Sequence, residues 1–108
     1  MLERVSVTVT TPARKSLPLE DVLKALADPV RLEIVRRMCL DDEVACTSLE
    51  RTLDVTKSTI SYHVKVLYHA DLVQIRKDGR FYFYSLCRDV MESYLPGFAQ
   101  HLVTTASK

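Results

Sequence analysis

From Leu19 onward, apolar residues recur at helical intervals. Leu19, Val22, Leu23 and Leu26 fall at i, i+3, i+4 and i+7, one stripe of an amphipathic helix. Asp28-Pro29 predicts a second helix start, because an Asp side chain caps free amides and the missing proline N–H costs nothing in the first turn. That helix runs to about Cys39 and turns Val30, Ile34, Val35 and Met38 inward. Asp41-Asp42-Glu43 is a polar break, followed by a short helix over about 47–53 with Leu49 and Leu53 inward. Thr56 is then the N-cap of a longer helix with Ile60, Val64 and Leu67 inward. Its outer face carries Lys57, Ser58, Thr59, Ser61, Tyr62 and Lys65, and two helices joined by a tight turn with such a face form a helix-turn-helix pattern.

Beyond it the period changes. Residues 72–76 and 81–86 are β-rich runs flanking Lys77-Asp78-Gly79-Arg80, and Asp-Gly between such runs predicts a hairpin with a type I′ turn. Its tip carries Arg76, Lys77 and Arg80, so a basic hairpin directly follows the helix-turn-helix, in the position of a wing. The last segment, from about Arg88, reads as helix that Pro96-Gly97 kinks or splits near Leu95. At the other end, Val5, Val7 and Val9 alternate with Ser6, Thr8 and Thr10, a strand period that Pro12 stops and for which the sequence names no partner. Residues 1–15 are expected to form a flexible arm and residues 16–108 the domain. The fold class is mainly α with a β-hairpin wing (α+β), a winged helix-turn-helix.

Composition narrows the function classes. A chain of 108 residues, 47% hydrophobic and 27% charged, suits a single globular domain. No apolar run approaches the ~18 residues of a transmembrane helix, and MLERVSVTVT lacks a signal peptide's pattern, so a cytoplasmic location without a membrane partner is expected. Cys39, Cys46 and Cys87 are an odd set, which argues against a disulfide framework. The net charge of +1 hides a division: residues 16–50 carry four positive and eight negative charges, residues 51–80 six positive and three negative. A basic half opposite an acidic one suits a polyanion-facing surface, although a solvated mixed-charge surface reads the same way.

Three stretches, LKALADPVRLEIVRRM (23–38), LDVTKSTISYHVKVL (53–67) and ADLVQIRKDGRFYFYSL (70–86), resemble the ArsR/SmtB family of bacterial winged-helix regulators in order and spacing. The middle one holds the Ser-x-His and aliphatic positions typical of that family's recognition helix, here Ser61, His63, Val64 and Leu67. The resemblance implies a homodimer, with the first and last helices at its interface, that binds a double-stranded DNA operator and responds to a small effector, often a metal ion. Where the family usually has glycine after each helix of the motif, this chain has Asp54 and Asp71, residues that tolerate left-handed backbone but add negative charge.

On this reading the helix after Thr56 enters the major groove by its N-terminus. Thr56, Ser58 and Thr59 suit phosphates, while Lys57, Ser61 and Tyr62 are candidates for reading bases. Lys65 joins them on the helix, and Arg76, Lys77 and Arg80 follow phosphates or enter the minor groove. His63 belongs to the same helix but lies near its inward face, where a packed, hydrogen-bonded histidine is the plainer reading. A dimer places its two recognition helices roughly 34–36 Å apart, which predicts an inverted-repeat operator.

The effector is less legible. A divalent transition metal needs several converging ligands. The resemblance aligns one family ligand pair with Ala45 and Thr47, with Cys46 falling between them, and another set with Asp89, Met91, Leu102 and Thr105. Asp89, Glu92 and His101 remain weak candidates for an unfamiliar site across a dimer, against the plainer reading that Asp89 and Glu92 complement a helix N-terminus. The cysteines read as small buried hydrophobes or, for Cys39 and Cys46, as a redox pair. The alternative function is a winged-helix module without its own sensor, taking its signal from a second sensor protein or from cysteine redox chemistry. An enzyme is not expected, since no nucleophile–base set or phosphate loop is present.

Overall fold

The computed structural model describes residues Thr8–Thr10 and 17–105; Val5 and Val7 lie outside them. The elements run β1 (Thr8–Thr10), α1 (Leu19–Leu26), α2 (Pro29–Leu40), β2 (Val44–Ala45), α3 (Cys46–Leu53), α4 (Lys57–His69), β3 (Val73–Asp78), β4 (Phe81–Leu86), α5 (Arg88–Tyr94) and α6 (Phe98–Thr105). The fold is mainly helical with a small antiparallel sheet in the order β1-β3-β4-β2. Helix starts follow local chemistry. Asp28 Oδ2 accepts from the Val30 and Arg31 amides at 2.9 and 3.0 Å, with Pro29 in the first turn of α2. Thr56 Oγ1 accepts from the Thr59 amide at 3.2 Å and caps α4.

The core is assembled from one side of each helix and the inner face of the sheet. Val22, Ile34, Val35, Leu49, Ile60, Leu67, Leu72 and Val73 have no exposed surface. Long side chains lock the periphery to it. Tyr94 OH donates to the Leu17 carbonyl and accepts from its amide, both at 2.9 Å, tying the end of α5 to the start of α1. Arg88 Nη2 donates to the Met38 and Cys39 carbonyls at 3.0 and 3.2 Å, which caps the C-terminus of α2.

Four expectations change. Leu19 and Leu23, read as half of the inward stripe of α1, are each 45% exposed, while Val22, Ala25 and Leu26 take the core. The alternation around Val9 acquires a partner, because Thr8↔Lys77, Val9↔Arg76 and Thr10↔Ile75 pair antiparallel along the outer edge of β3. A two-residue strand, β2, also joins the far edge of β4 through Val44↔Tyr84 and Ala45↔Phe83. The hairpin turns one residue later than a central Asp-Gly would place it. Asp78 pairs with Phe81, so Gly79 and Arg80 are the loop, and of these only Gly79 has positive φ (65°). That suits type II′, which takes Gly first, and not type I′, which needs both central residues positive.

Candidate nucleic-acid interface

The turn of the motif is built on an aspartate in left-handed conformation. Asp54 (φ 55°) ends α3, and the Val55 amide returns to the Glu50 carbonyl at 3.3 Å. Asp71 (φ 64°) ends α4 in the same way: the Leu72 amide donates to the Leu67 carbonyl at 3.1 Å and the Asp71 amide to that of Tyr68 at 2.9 Å. This is the Schellman arrangement, usually completed by glycine. With α3 closed at its C-terminus and α4 at both ends, α4 turns Ile60, His63, Val64 and Leu67 into the core. Lys57, Ser58, Ser61, Tyr62 and Lys65 stay exposed, Tyr62 at 60%, and Thr59 is half-buried.

Beside this face stands the wing, whose exposed tip holds Lys77, Asp78, Gly79, Arg80 and Phe81. A groove of about 390 Å3 separates helix from wing, with Lys57, Ser61 and Lys65 on one wall and Ile75, Tyr82 and Tyr84 on the other. Tyr82 joins the two elements, since its ring centroid lies 5.7 Å from the Lys57 ammonium and 5.9 Å from that of Lys77, within cation–π reach. Tyr82 was absent from the sequence candidates. Within an FYFY run nothing local says which rings face the helix; the register Lys77↔Tyr82 decides it.

The structure divides the remaining sequence candidates by what they touch. Arg76 is engaged internally: its Nε and Nη2 donate to the two carboxylate oxygens of Glu43 at 2.7 and 2.8 Å, and its guanidinium lies 4.3 Å from the Phe83 centroid. It braces the wing against the segment entering β2, and the same pair holds the Glu43 carboxyl below its ordinary range. His63 is only 9% exposed and takes the packed reading. Its Nδ1 lies 3.0 Å from Arg31 Nη1 and 3.9 Å from Asp28 Oδ2, so α4 is pinned to the N-cap of α2. Arginine only donates, so Nδ1 is the acceptor and the imidazole carries its proton on Nε2. The Thr56 and Thr59 hydroxyls bond to each other at 3.0 Å.

The metal candidates do not converge within one chain. Among the described residues no three His, Cys, Asp or Glu side chains gather to hold an ion. The Glu92 carboxylate accepts from the Gly97 amide at 2.9 and 3.0 Å, at the entrance to α6, and Asp89 Oδ1 accepts from the Val90 amide at 3.0 Å in the first turn of α5. His101 stands on α6. Cys46 is buried, its Sγ 3.8 Å from Glu50 Oε2, and Cys39 is half-buried; burial pushes both thiols up. Burial likewise raises the Tyr84 hydroxyl behind the groove.

A polar, basic helix face beside a basic hairpin, carried on a tri-helical core, defines a winged helix-turn-helix protein of the transcription-regulating, DNA-binding class. A helix-turn-helix domain family matches residues 26–76. The chain is 39% identical over 82 residues to the uncharacterized HTH-type transcriptional regulator YceK of Bacillus subtilis, covering 75% of this chain and 82% of that one. It is 34% identical over 77 residues to the arsenical resistance operon repressor of Staphylococcus aureus, covering 71% and 73%. The solved structure of HlyU from Vibrio cholerae superimposes with a TM-score of 0.69 at 25% identity, over 82% of this chain and 91% of that one. The chain belongs to the ArsR family of winged helix-turn-helix transcriptional regulators, which are not enzymes. No helix among its described residues is long and apolar enough to cross a membrane.

Proposed function

We propose that the chain binds an inverted-repeat DNA operator as a homodimer and that an effector adjusts its occupancy. The observation that carries this reading is the exposed set Lys57, Ser58, Ser61, Tyr62 and Lys65 on one face of a helix whose opposite face is in the core, directly beside the exposed Lys77 and Arg80. Ser61 and Tyr62, both exposed on that face, suit base edges in the major groove. Thr56, Ser58 and Thr59 at the helix N-terminus, with Lys65, meet phosphates, where the amide ends of α4 add favourable charge. Lys57, expected from the sequence to read bases, lies against Tyr82 on the side facing the wing, which suits a phosphate crossing the groove better. Lys77 and Arg80 grip the neighbouring backbone, while Arg76 and His63 hold the elements in position.

Dimerisation is supported by Leu19 and Leu23, four residues apart on α1 and each 45% exposed, a stripe that the single chain leaves uncovered. The test is a mobility-shift titration with the DNA preceding the chain's own gene against a scrambled duplex. A band with two chains per duplex is expected, at least about a thousandfold tighter than on the scrambled sequence. Ser61→Ala and Tyr62→Ala are each expected to reduce that preference, and Lys57→Ala to weaken both duplexes alike. Equal affinity for the two duplexes overturns the reading.

A further inference from the structure

A second cleft, also about 390 Å3, opens away from the DNA-facing groove, between α1 and the C-terminal half of α4. Its apolar lining includes Ala25 and Val66, and its polar lining is Asp21, Lys24, Arg31 and His69. Two fixed cations thus face one carboxylate, and the His69 imidazole adds a hydrogen-bonding group. Lys24 is exposed and makes no ion pair among the described residues. Arg31 is half-buried and engaged on one side only: Nε donates to the Ala25 carbonyl at 2.6 Å and Nη1 meets His63 Nδ1 at 3.0 Å. Two of the five N–H groups of a guanidinium are used in this way, and the planar fork of the rest matches a carboxylate.

Arg31 therefore both lines this cleft and meets His63 on the inward side of α4. His63 adjoins Tyr62 and stands two residues from Ser61, the side chains placed at base edges above. We propose that the cleft binds a small organic monocarboxylate, its head group on Lys24 and Arg31 and its short hydrocarbon part on Ala25 and Val66, and that Arg31 relays occupancy to α4 through His63. A carboxylate that takes the open Nη1 and Nη2 hydrogens turns the guanidinium toward the cleft and so draws Nη1 from His63 Nδ1. The buried imidazole then lacks its donor and α4 relaxes against α2. The relay, but not the binding, rests on α4 being the recognition helix.

Hexanoate serves as probe and hexylammonium, with the same tail and the opposite charge, as control. Calorimetry on the full chain at constant ionic strength is expected to give one saturable hexanoate site per chain. Binding is expected to be at least tenfold weaker for hexylammonium, for Lys24→Gln and for Arg31→Gln. Lys24→Gln lies outside the DNA-facing groove and keeps the basal operator affinity, so a folding defect in Arg31→Gln does not decide the matter. Saturating hexanoate is expected to shift the His63 Nδ1 nitrogen resonance and to lower operator affinity about tenfold, within the usual range of allosteric coupling; in Lys24→Gln it does neither. No saturable heat, or equal binding of hexylammonium, overturns the site. Hexanoate binding that leaves both His63 and operator affinity unmoved overturns the relay. Failure to prefer the operator at all is a failure of the regulatory reading, and the calorimetry still decides the cleft.

Discussion

Asp28 joins α2 and α4 through one carboxylate. It caps α2, and the Arg31 amide, followed by the Arg31 charge and the Val30 amide, holds it below its ordinary value of 3.8. Arg36 and Arg37 hold Glu33, and Arg76 holds Glu43, below the ordinary 4.5. A carboxyl whose folded pKa is depressed contributes stability above its unfolded value and loses it as pH falls through the folded one. The melting temperature is therefore expected to be insensitive to these three groups near neutrality and to fall below about pH 4.5, with a shallower fall in Asp28→Asn, which keeps an acceptor but no charge. Asp28→Ala is expected to cost about 1 kcal/mol in denaturant melts through loss of the cap. Burial raises the Cys39 and Cys46 thiols above the ordinary 9.0, so alkylation at neutral pH is expected to be slow, with half-buried Cys39 reacting before buried Cys46.

Among elements, the helix ends and the wing carry the sharpest tests. Asp54 holds φ 55° at the turn between α3 and α4. Alanine there keeps the left-handed strain and loses the polar side chain that eases it, whereas glycine removes the strain. Asp54→Ala is expected to be less stable than Asp54→Gly by about 1 kcal/mol, read as a shift of the denaturation midpoint. In the wing, Arg80 at the loop and Arg76 in β3 look alike in sequence but differ in partners. Arg80→Ala is expected to lower the salt slope of DNA binding by about one, while Arg76→Ala lowers it less because Glu43 already matches that charge.

For the whole molecule, the exposed charge is uneven. Lys57, Lys65, Lys77 and Arg80 stand exposed on α4 and the wing, while the exposed Asp41, Asp42 and Glu43 lie between α2 and β2, where Glu43 reaches across to Arg76. Such an arrangement orients a duplex as well as attracting it. The exposed leucines of α1 carry the remaining prediction. Leu23→Glu is expected to convert the protein to a monomer by sedimentation and to remove the cooperative operator complex, with little change in monomer stability because that side chain is already half in solvent.

What the sequence determined by itself was local. The starts of α2 and α4 follow from Asp28-Pro29 and Thr56 because a cap needs only the next three residues, and Pro96-Gly97 separates α5 from α6 for the same reason. The core side of α4 was readable because a helix repeats its faces every 3.6 residues. Tertiary structure decided everything that depends on partners distant in the chain. The strand period around β1 was readable but its partner was not, and β2 is too short to announce itself; they pair with β3 and β4 respectively. Glu43 meets Arg76 across 33 positions and Arg31 meets His63 across 32, so Arg76, which looked DNA-facing, became a brace and the packed His63 acquired a partner the sequence could not name. Periodicity assigns a side chain to a face, but which neighbour that face receives is set only when the helices and sheet pack together.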